Sequence, residues 1–401
     1  MMAACGPATP APDEARDAAV QSSAVILISL DGFRWDYQQL TETPTLDALA
    51  AAGVQADGLI PVFPSKTFPS HYSAVTGLHP GNHGIVSNNM RDPRWDGEFH
   101  IGTEELLKGR WWGGEPIWTS ANKQGLVTAS FFWPGSDVEI NGDRPAYFYA
   151  YDGSVPFEDR VDQVLAWLDL PAAERPSFIT LYFGDPNDTS HGAGPEAPEA
   201  LAAVRRVDDM IGRLVAGLRQ RGIVASTDIV VTADHGMAQM SDERTVFLDD
   251  YAELQEGEVF EAGAFLQIYP NAGRGEAILA ALQGAHPHLE VYARDEIPER
   301  YRLRGNTRLG PIIGIPDIGW SVTTRASGAA GWGGAIPGNH GGDPRHPDMA
   351  GIFIAAGPSF ARSARVPAFE NIEIYNLLAR ALGIEPAPND GDLSRIPGIL
   401  R

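Results

Sequence analysis

The stretch Ala24-Val-Ile-Leu-Ile-Ser-Leu30, followed at once by Asp31-Gly-Phe-Arg34, decides the fold class of this 401-residue chain. A continuous apolar run of this kind is typical of a strand that is buried on both faces of a sheet. Open α/β sheets built from such strands bind their ligands at the carboxyl ends of the strands. Asp31 stands at that end, so the same stretch predicts a central sheet and the edge that carries the functional site.

Two later apolar runs also end in polar clusters. Residues 177–183 lead into a segment with Asn187 and His191, and residues 228–232 lead into Asp234 and His235. Helical patterns separate these runs, and strand–helix alternation implies parallel strands whose carboxyl ends share one edge. We therefore expect the three clusters to meet in space.

The strand–helix alternation changes near residue 259, where short strands and one short helix follow one another. We predict an α/β protein with a mostly parallel central sheet and helices on both faces. In this interpretation residues 23–258 and 326–401 form the core, and residues 259–325 form a small inserted α+β lobe.

The N-terminal segment, residues 1–22, has two interpretations. Small residues precede the single cysteine, Cys5, and a Pro/Ala-rich acidic stretch follows it, as at the end of a bacterial lipoprotein signal, although the expected apolar segment is missing. One interpretation is a lipid-anchored tether through Cys5, which predicts a location in the bacterial periplasm or cell envelope. The other is a disordered tail.

The overall charge restricts the class of partner. A net charge of −22 makes the chain a poor general binder of nucleic-acid polymers, whose affinity depends on Lys and Arg. An anionic small molecule would have to be attracted by local cations at the site.

A hydroxyl at the start of a predicted helix is the candidate nucleophile. In Phe63-Pro-Ser-Lys-Thr-Phe-Pro-Ser-His-Tyr72, Pro69 suits a first helical turn and Gly77 a helix end. Thr67 would thus approach a helix N-terminus, where backbone N–H groups favour negative charge. A threonine becomes a good nucleophile when a metal ion holds it as an alkoxide. The alternative is an ordinary N-cap hydroxyl.

The strand-end residues suit zinc. Carboxylate and imidazole ligands are preferred by Zn²⁺, so Asp31, Asp234 and His235 would hold one ion together with Thr67. His191 and His340 would hold a second. Two zinc ions about 4 Å apart form a clamp for in-line displacement at phosphorus.

Seven segments in a fixed order resemble the nucleotide pyrophosphatase/phosphodiesterase family of the alkaline phosphatase superfamily. They are Ser29-Leu-Asp-Gly-Phe-Arg34, Phe63-Pro-Ser-Lys-Thr-Phe-Pro69, Gly77-Leu-His-Pro80, His83-Gly-Ile-Val-Ser-Asn-Asn-Met90, His191-Gly-Ala-Gly-Pro195, Thr232-Ala-Asp-His-Gly-Met237 and Asn339-His-Gly-Gly342. The resemblance implies an alkaline phosphatase-like fold, two Zn²⁺ ions and a small nucleotide or phosphodiester substrate.

The resemblance also implies roles for individual residues. Thr67 would attack phosphorus and become covalently nucleotidylated before nucleoside 5′-monophosphate is released. Asn88 would donate a hydrogen bond to the phosphoryl oxygen. Three aromatic residues, Phe68, Tyr151 and Tyr182, fall at or near positions that sandwich a nucleobase in the family, and Lys66 is the cation nearest the nucleophile; these four complete the predicted substrate-binding set.

One position departs from the family pattern, which has aspartate four residues before the first metal-binding histidine. Here Asn187 occupies that position, and an amide oxygen is a weaker zinc ligand than a carboxylate. Either Asn187 binds with reduced affinity, or Asp185 or Asp188 takes over, or the second site is impaired. Asn187 therefore leaves open a nucleotide-binding protein with impaired turnover. A phospholipid-headgroup phosphodiesterase of the same family also stays open, because members of the family divide between nucleotide and headgroup substrates according to the lining of the pocket.

Overall fold

The central sheet is built around the strand that the sequence placed first. The computed structural model describes residues 24–329 and 336–401, so the predicted tail or tether at residues 1–22, with Cys5, lies outside the described residues and stays a prediction. The strands are β1 (Ala24–Leu30), β2 (Val54–Ala56), β3 (Leu59–Ile60), β4 (Met90–Arg91), β5 (Glu98–Phe99), β6 (Thr128–Phe131), β7 (Tyr147–Phe148), β8 (Phe178–Phe183), β9 (Thr227–Thr232), β10 (Ala238–Gln239), β11 (Thr245–Phe247), β12 (Val259–Glu261), β13 (Leu266–Ile268), β14 (Leu289–Ala293), β15 (Ile312–Pro316), β16 (Ser321–Thr323), β17 (Gly338–Asn339), β18 (Phe353–Ala356), β19 (Ala364–Val366) and β20 (Phe369–Glu370).

The helices alternate with the strands of the core. They are α1 (Tyr37–Leu40), α2 (Pro44–Ala52), α3 (Thr67–Thr76), α4 (Pro80–His83), α5 (Ile117–Lys123), α6 (Phe157–Leu168), α7 (Asn187–Ala193), α8 (Pro198–Gln220), α9 (Gly275–Leu282), α10 (Arg325–Ala329) and α11 (Glu373–Leu382). None of the helices in the described part of the chain has the length and hydrophobicity of a transmembrane span.

The main sheet has eight strands in the order β19-β2-β18-β9-β1-β8-β6-β7. The run from β9 to β7 is parallel, and β18 is antiparallel to both of its neighbours. Strand β1 therefore lies between β8 and β9, and all three point the same way. This confirms the predicted α/β class with a mainly parallel sheet, and it places the three polar strand ends at one edge.

Both faces of β1 are covered by helices, which explains its unbroken apolar sequence. Val25 and Leu27 belong to the core on the face of α3, α5 and α11. Ile26 and Ile28 belong to the core on the face of α2, α6 and α8. All four side chains are fully buried, so these residues alternate between the two hydrophobic cores.

A separate antiparallel sheet lies within the range predicted as an inserted lobe. Its strand order is β12-β13-β15-β14, with α9 packed against β14. Its core is a distinct cluster that includes Leu266, Ile278 and Ile312. Strand pairing also joins β11 (residues 245–247) to β16 (residues 321–323). The domain boundaries at residues 259 and 325 stay a prediction.

Candidate metal centre and active site

The ends of β1 and β9 bring three buried metal-binding side chains together. Asp31 follows β1, whereas Asp234 and His235 follow β9, and the register pairs Ser29 with Thr232. Candidate ligand atoms of Asp31, Asp234 and His235 all lie within 4.8 Å of one another. The parallel register of β1 and β9 therefore brings these three side chains together, as expected when polar residues follow adjacent parallel strands.

The hydrogen bond made by His235 leaves its second ring nitrogen as an acceptor beside the two aspartates. Its Nδ1–H donates to the Gly236 carbonyl oxygen at 2.9 Å, so in the neutral ring Nε2 carries a lone pair. That Nε2 lies 2.9 Å from Asp234 Oδ2, 3.5 Å from Asp31 Oδ1 and 3.5 Å from the Thr67 hydroxyl oxygen. Asp31 Oδ1 and Asp234 Oδ2 are buried without a hydrogen-bond partner. Converging acceptors of this kind fit a bound cation.

Two further histidines are held in the same tautomer. His191 Nδ1–H donates to the Gly338 carbonyl at 2.8 Å, and His340 Nδ1–H donates to the Ser65 carbonyl at 2.9 Å. The His340 ring stacks on His235 at a centroid distance of 3.4 Å and lies 5.1 Å from the His191 ring. Burial lowers the pKa of both His191 and His340, so both rings are neutral near pH 7. Backbone carbonyls thus leave each Nε2 free to bind a metal.

The two aspartates differ in their electrostatic surroundings. Burial, together with the nearby Asp234, raises the pKa of Asp31 well above its usual value, although the Tyr182 hydroxyl donates to Asp31 Oδ2 at 2.7 Å. Burial also acts to raise the pKa of Asp234, but His235 and His71 hold that pKa well below its usual value. Two buried carboxylates in contact repel each other, and a cation between them would relieve that repulsion.

Asn187 and His191 come from a helix where the sequence indicated only a polar segment. They are the first and fifth residues of α7, so they lie one turn apart on the same face. The Asn187 N–H donates to the Asp31 carbonyl oxygen at 3.0 Å, which fixes the start of α7 against β1. Asn187 Oδ1 is buried without a partner, like the two orphaned aspartate oxygens. Asn187 therefore occupies the position at which the sequence predicted a metal ligand.

The two neighbouring aspartates have different surroundings. Asp185 forms an ion pair with Arg206 and accepts a hydrogen bond from Thr189 at 2.8 Å. Asp188 is solvent-exposed, and its Oδ1 accepts a hydrogen bond from Asn187 Nδ2 at 3.3 Å. Since the Asp185 carboxylate is already engaged, Asp188 is the better placed of the two to add negative charge near Asn187.

The candidate nucleophile is the first residue of α3 rather than a residue that precedes it. Lys66 is the N-cap, with extended backbone, and α3 ends at Gly77 with a positive φ of 67°. Asn88 Oδ1 accepts a hydrogen bond from the Phe68 N–H at 2.9 Å, which leaves Asn88 Nδ2 as a donor. The Thr67 N–H belongs to the first helical turn, where N–H groups have no intrahelical acceptor. Two donors thus accompany the Thr67 hydroxyl.

The predicted nucleobase contacts differ in accessibility. Tyr151 is 57% exposed, and its ring lies 5.1 Å from Phe132 and 6.0 Å from Tyr182. Phe68 is 9% exposed and borders the nucleophile. Tyr182 is 8% exposed, and its hydroxyl binds Asp31, so its position suits support of a metal ligand better than stacking. Tyr151 offers the most open aromatic face of the three.

Three contributors to the site were not identified from the sequence as such. His71 Nδ1 lies 2.8 Å from the Thr67 carbonyl and its Nε2 lies 2.7 Å from Ser29 Oγ. Its spacing of four residues from Thr67 on a predicted helix was the signal available. The other two contributors are the Tyr182 hydroxyl, which donates to Asp31, and Glu261, whose Oε1 lies 2.5 Å from Lys66 Nζ. Both depend on tertiary contacts that no local sequence motif predicts.

Comparisons with known proteins agree with this geometry. The family model described as Type I phosphodiesterase / nucleotide pyrophosphatase matches residues 25–343. Ectonucleotide pyrophosphatase/phosphodiesterase family member 3 of Bos taurus is 39% identical over 388 residues, covering 94% of this chain and 44% of that protein. Venom phosphodiesterase of Naja atra is 36% identical over 389 residues, covering 94% and 46% respectively. The chain thus spans less than half the length of these relatives.

A solved structure extends the likeness to the whole fold. Murine ectonucleotide pyrophosphatase/phosphodiesterase 5, as an inactive threonine-to-alanine variant in complex with AMP, superimposes with a TM-score of 0.89 and 33% identity. The match covers 95% of this chain and all of that one. Fold, strand-end cluster and sequence match therefore agree that this chain belongs to the type I phosphodiesterase/nucleotide pyrophosphatase family.

Proposed function

We propose that this protein is a zinc-dependent hydrolase of phosphodiester and pyrophosphate bonds in nucleotides, with Thr67 as the nucleophile. One observation carries the proposal: the Thr67 hydroxyl, at the N-terminus of α3, lies 3.5 Å from His235 Nε2 at the edge of a buried cluster of acceptors. A hydroxyl in that position can reach phosphorus while its developing charge is stabilised.

The donor set fits two zinc ions. Asp31, Asp234, His235 and Thr67 would hold one, and Asn187, His191 and His340 would hold the other. Three orphaned oxygens, Asp31 Oδ1, Asp234 Oδ2 and Asn187 Oδ1, support the assignment. When bound, the ions would stabilise charge on the phosphoryl oxygens and lower the pKa of the Thr67 hydroxyl and of a water.

The residues of the chain then have defined tasks. Thr67 Oγ forms a bond to phosphorus as the leaving oxygen departs, which leaves the nucleotidyl group esterified to Thr67. Asn88 Nδ2 and the Thr67 N–H donate to a non-bridging oxygen, whose charge is greatest in the transition state. Water then displaces Thr67 and releases nucleoside 5′-monophosphate.

A nucleotide is the substrate that the surroundings support best. The matched murine protein is in complex with AMP, and the exposed ring of Tyr151 offers a flat face near the site on which a base of any identity can stack. A quaternary-ammonium headgroup can also contact an aromatic face, so hydrolysis of a lysophospholipid has to be compared directly with that of a nucleotide. The impaired-turnover alternative rests on Asn187 alone.

The test uses a nitrophenyl ester of a nucleoside 5′-monophosphate. We expect nitrophenol release that stops with chelator and returns with zinc, and that is lost in Thr67→Ala. Thr76→Ala is the matched control, because Thr76 is a buried threonine at the other end of α3 that donates to the Tyr72 carbonyl. Tight nucleotide binding without release would favour the impaired-turnover alternative. Faster hydrolysis of a lysophospholipid would favour the headgroup alternative, and full activity in Thr67→Ala would exclude Thr67 as the nucleophile.

A further inference from the structure

A buried carboxylate of the antiparallel sheet contacts both segments that carry the proposed catalytic groups. Glu261, at the end of β12, is 6% exposed. Its Oε1 lies 2.5 Å from Lys66 Nζ and accepts a hydrogen bond from Asn89 Nδ2 at 3.4 Å. Its Oε2 accepts hydrogen bonds from Ser87 Oγ at 2.8 Å and from Gln267 Nε2 at 2.7 Å. One carboxylate therefore satisfies four donors.

Three of these donors are neighbours in the sequence of the proposed catalytic residues. Lys66 immediately precedes Thr67, while Ser87 and Asn89 flank Asn88 on both sides. Glu261 is thus a common anchor for the segment with the nucleophile and for the segment with the phosphoryl-oxygen donor.

We propose that Glu261 is a positioning residue for phosphoryl transfer, which sets the distance between the Thr67 hydroxyl and Asn88 Nδ2; this rests on the proposed role of Thr67. The Phe68 N–H···Asn88 Oδ1 hydrogen bond of 2.9 Å joins the same two segments directly. Glu261 adds a second, charged link from outside them. Two links at different points fix the relative orientation of the two segments, whereas a single link would let one rotate against the other.

The electrostatics show why a carboxylate is needed. The Lys66 side chain is only 14% exposed, so its ammonium group depends on the Glu261 charge. Glutamine has the same size but one acceptor oxygen, and its amide N–H groups would face donors. Glu261→Gln therefore weakens the hold on both segments without creating a cavity. A displacement of about 1 Å in a reacting group can cost about 100-fold in rate.

Glu258, which immediately precedes β12, provides a matched control. Its carboxylate is fully buried and ion-paired with Arg274 at 2.9 Å. It also accepts hydrogen bonds from the Gln255 and Asn271 N–H groups, each at 2.8 Å. None of these partners belongs to the segments around Thr67 or Asn88. Glu258→Gln therefore changes a comparable buried carboxylate next to the sheet and leaves the Glu261 contacts intact.

The experiment compares kcat, KM, bound zinc and melting temperature for the wild type and both glutamine variants. We expect Glu261→Gln to lower kcat by about 10- to 100-fold with KM changed by less than about threefold and zinc content unchanged. We expect Glu258→Gln to keep kcat within about twofold at a similar loss of melting temperature. Ser87→Ala, which removes one of the four donors, should lower kcat in the same direction by about threefold and serves if Glu261→Gln does not fold.

Two results would overturn the proposal. One is a kcat of Glu261→Gln, or of Ser87→Ala, equal to that of the wild type. The other is an equal loss of kcat in Glu258→Gln and Glu261→Gln, which would show a general effect of the sheet on stability. Thr67→Ala, measured alongside, separates the two proposals: activity in Thr67→Ala refutes the nucleophile itself, whereas an inactive Thr67→Ala with an unaffected Glu261→Gln refutes only the anchor.

Discussion

Replacing Asn187 by aspartate tests whether that position belongs to a metal site. The exchange is nearly isosteric and adds one negative charge to a group of neutral candidate ligands, Asn187, His191 and His340. In the metal-free protein, the new carboxylate stands beside Asp188 and near Asp31, whose pKa is already raised by burial and by Asp234. We therefore expect Asn187→Asp to destabilise the metal-free protein and to strengthen zinc binding.

The contact between residues 187 and 188 sets the magnitude. Asn187 Nδ2 lies 3.3 Å from Asp188 Oδ1, and two charges at that distance repel by about 1 kcal/mol in water or about 5 kcal/mol at an effective dielectric constant of about 20. Asp188 is exposed and residue 187 is buried, so we take about 2 kcal/mol as the loss of unfolding free energy without metal. Bound zinc would cancel this loss, which corresponds to a gain of about 30-fold in zinc affinity.

Two measurements check this prediction. Urea unfolding with chelator gives the free energy of the metal-free forms, and calorimetric titration of zinc into stripped protein gives affinity and stoichiometry. The double variant Asn187→Asp/Asp188→Asn is the control: it keeps the number of carboxylates, so its metal-free stability should return to that of the wild type while tighter zinc binding remains. Equal zinc affinity in wild type and Asn187→Asp would refute the assignment of Asn187 as a ligand.

Two further predictions concern the substrate and the acid side of the stability curve. Tyr151→Ala should raise KM for a nucleoside 5′-monophosphate nitrophenyl ester by about 5- to 150-fold, the cost of one lost base stack; KM for bis-para-nitrophenyl phosphate should not change, nor should either KM change in Tyr251→Ala, which removes an exposed tyrosine elsewhere. Burial lowers the pKa of His83 to about 3, so the unfolded chain takes up a proton first as the pH falls below the ordinary value of 6.5. The stability that neutral His83 contributes is therefore fully present above pH 6.5 and is lost as the pH falls from 6.5 towards the folded pKa of about 3. The loss of unfolding free energy between about pH 7 and pH 5 amounts to about 2 kcal/mol. In His83→Gln, chemical unfolding should show a pH-dependent loss smaller by that amount, and an unchanged loss would contradict the lowered pKa.

The parts of the site that follow from single strands were predictable from the sequence. Asp31, Asp234 and His235 sit directly after apolar runs, and parallel strand geometry then requires that their side chains meet. The helix that begins at Thr67 was likewise predictable to within a few residues, because Pro69 and Gly77 mark its two ends. In these cases a local pattern and a general rule of sheet topology are sufficient.

Other parts depend on contacts between segments that are far apart in the chain. The helical turn that carries Asn187 and His191 is stabilised by a hydrogen bond from the Asn187 N–H to the Asp31 carbonyl oxygen. No feature of residues 185–195 predicts this hydrogen bond. Tyr182 was predicted to contact a nucleobase because it falls at or near such a position in the resembled family, and that role stays a prediction; the hydrogen bond from its hydroxyl to Asp31 could not be predicted from the sequence. Sequence patterns identify residue types and spacing, whereas the partner of a polar group is decided by tertiary packing.

The proposed metal ligands and the proposed phosphoryl-oxygen donors are held in place by different parts of the fold. Three of the groups proposed to hold metal, Asp31, Asp234 and His235, come from the ends of the buried core strands β1 and β9, which fix their positions. The groups proposed to bind the phosphoryl oxygen are the Thr67 N–H, at the start of α3, and Asn88, which lies outside the helices and strands. Both depend on support from another part of the chain. That support comes from Glu261 on the antiparallel sheet, 194 residues after Thr67 in the chain. Changes at Glu261 should therefore alter kcat without changing metal content, whereas changes at the core strand ends should alter both.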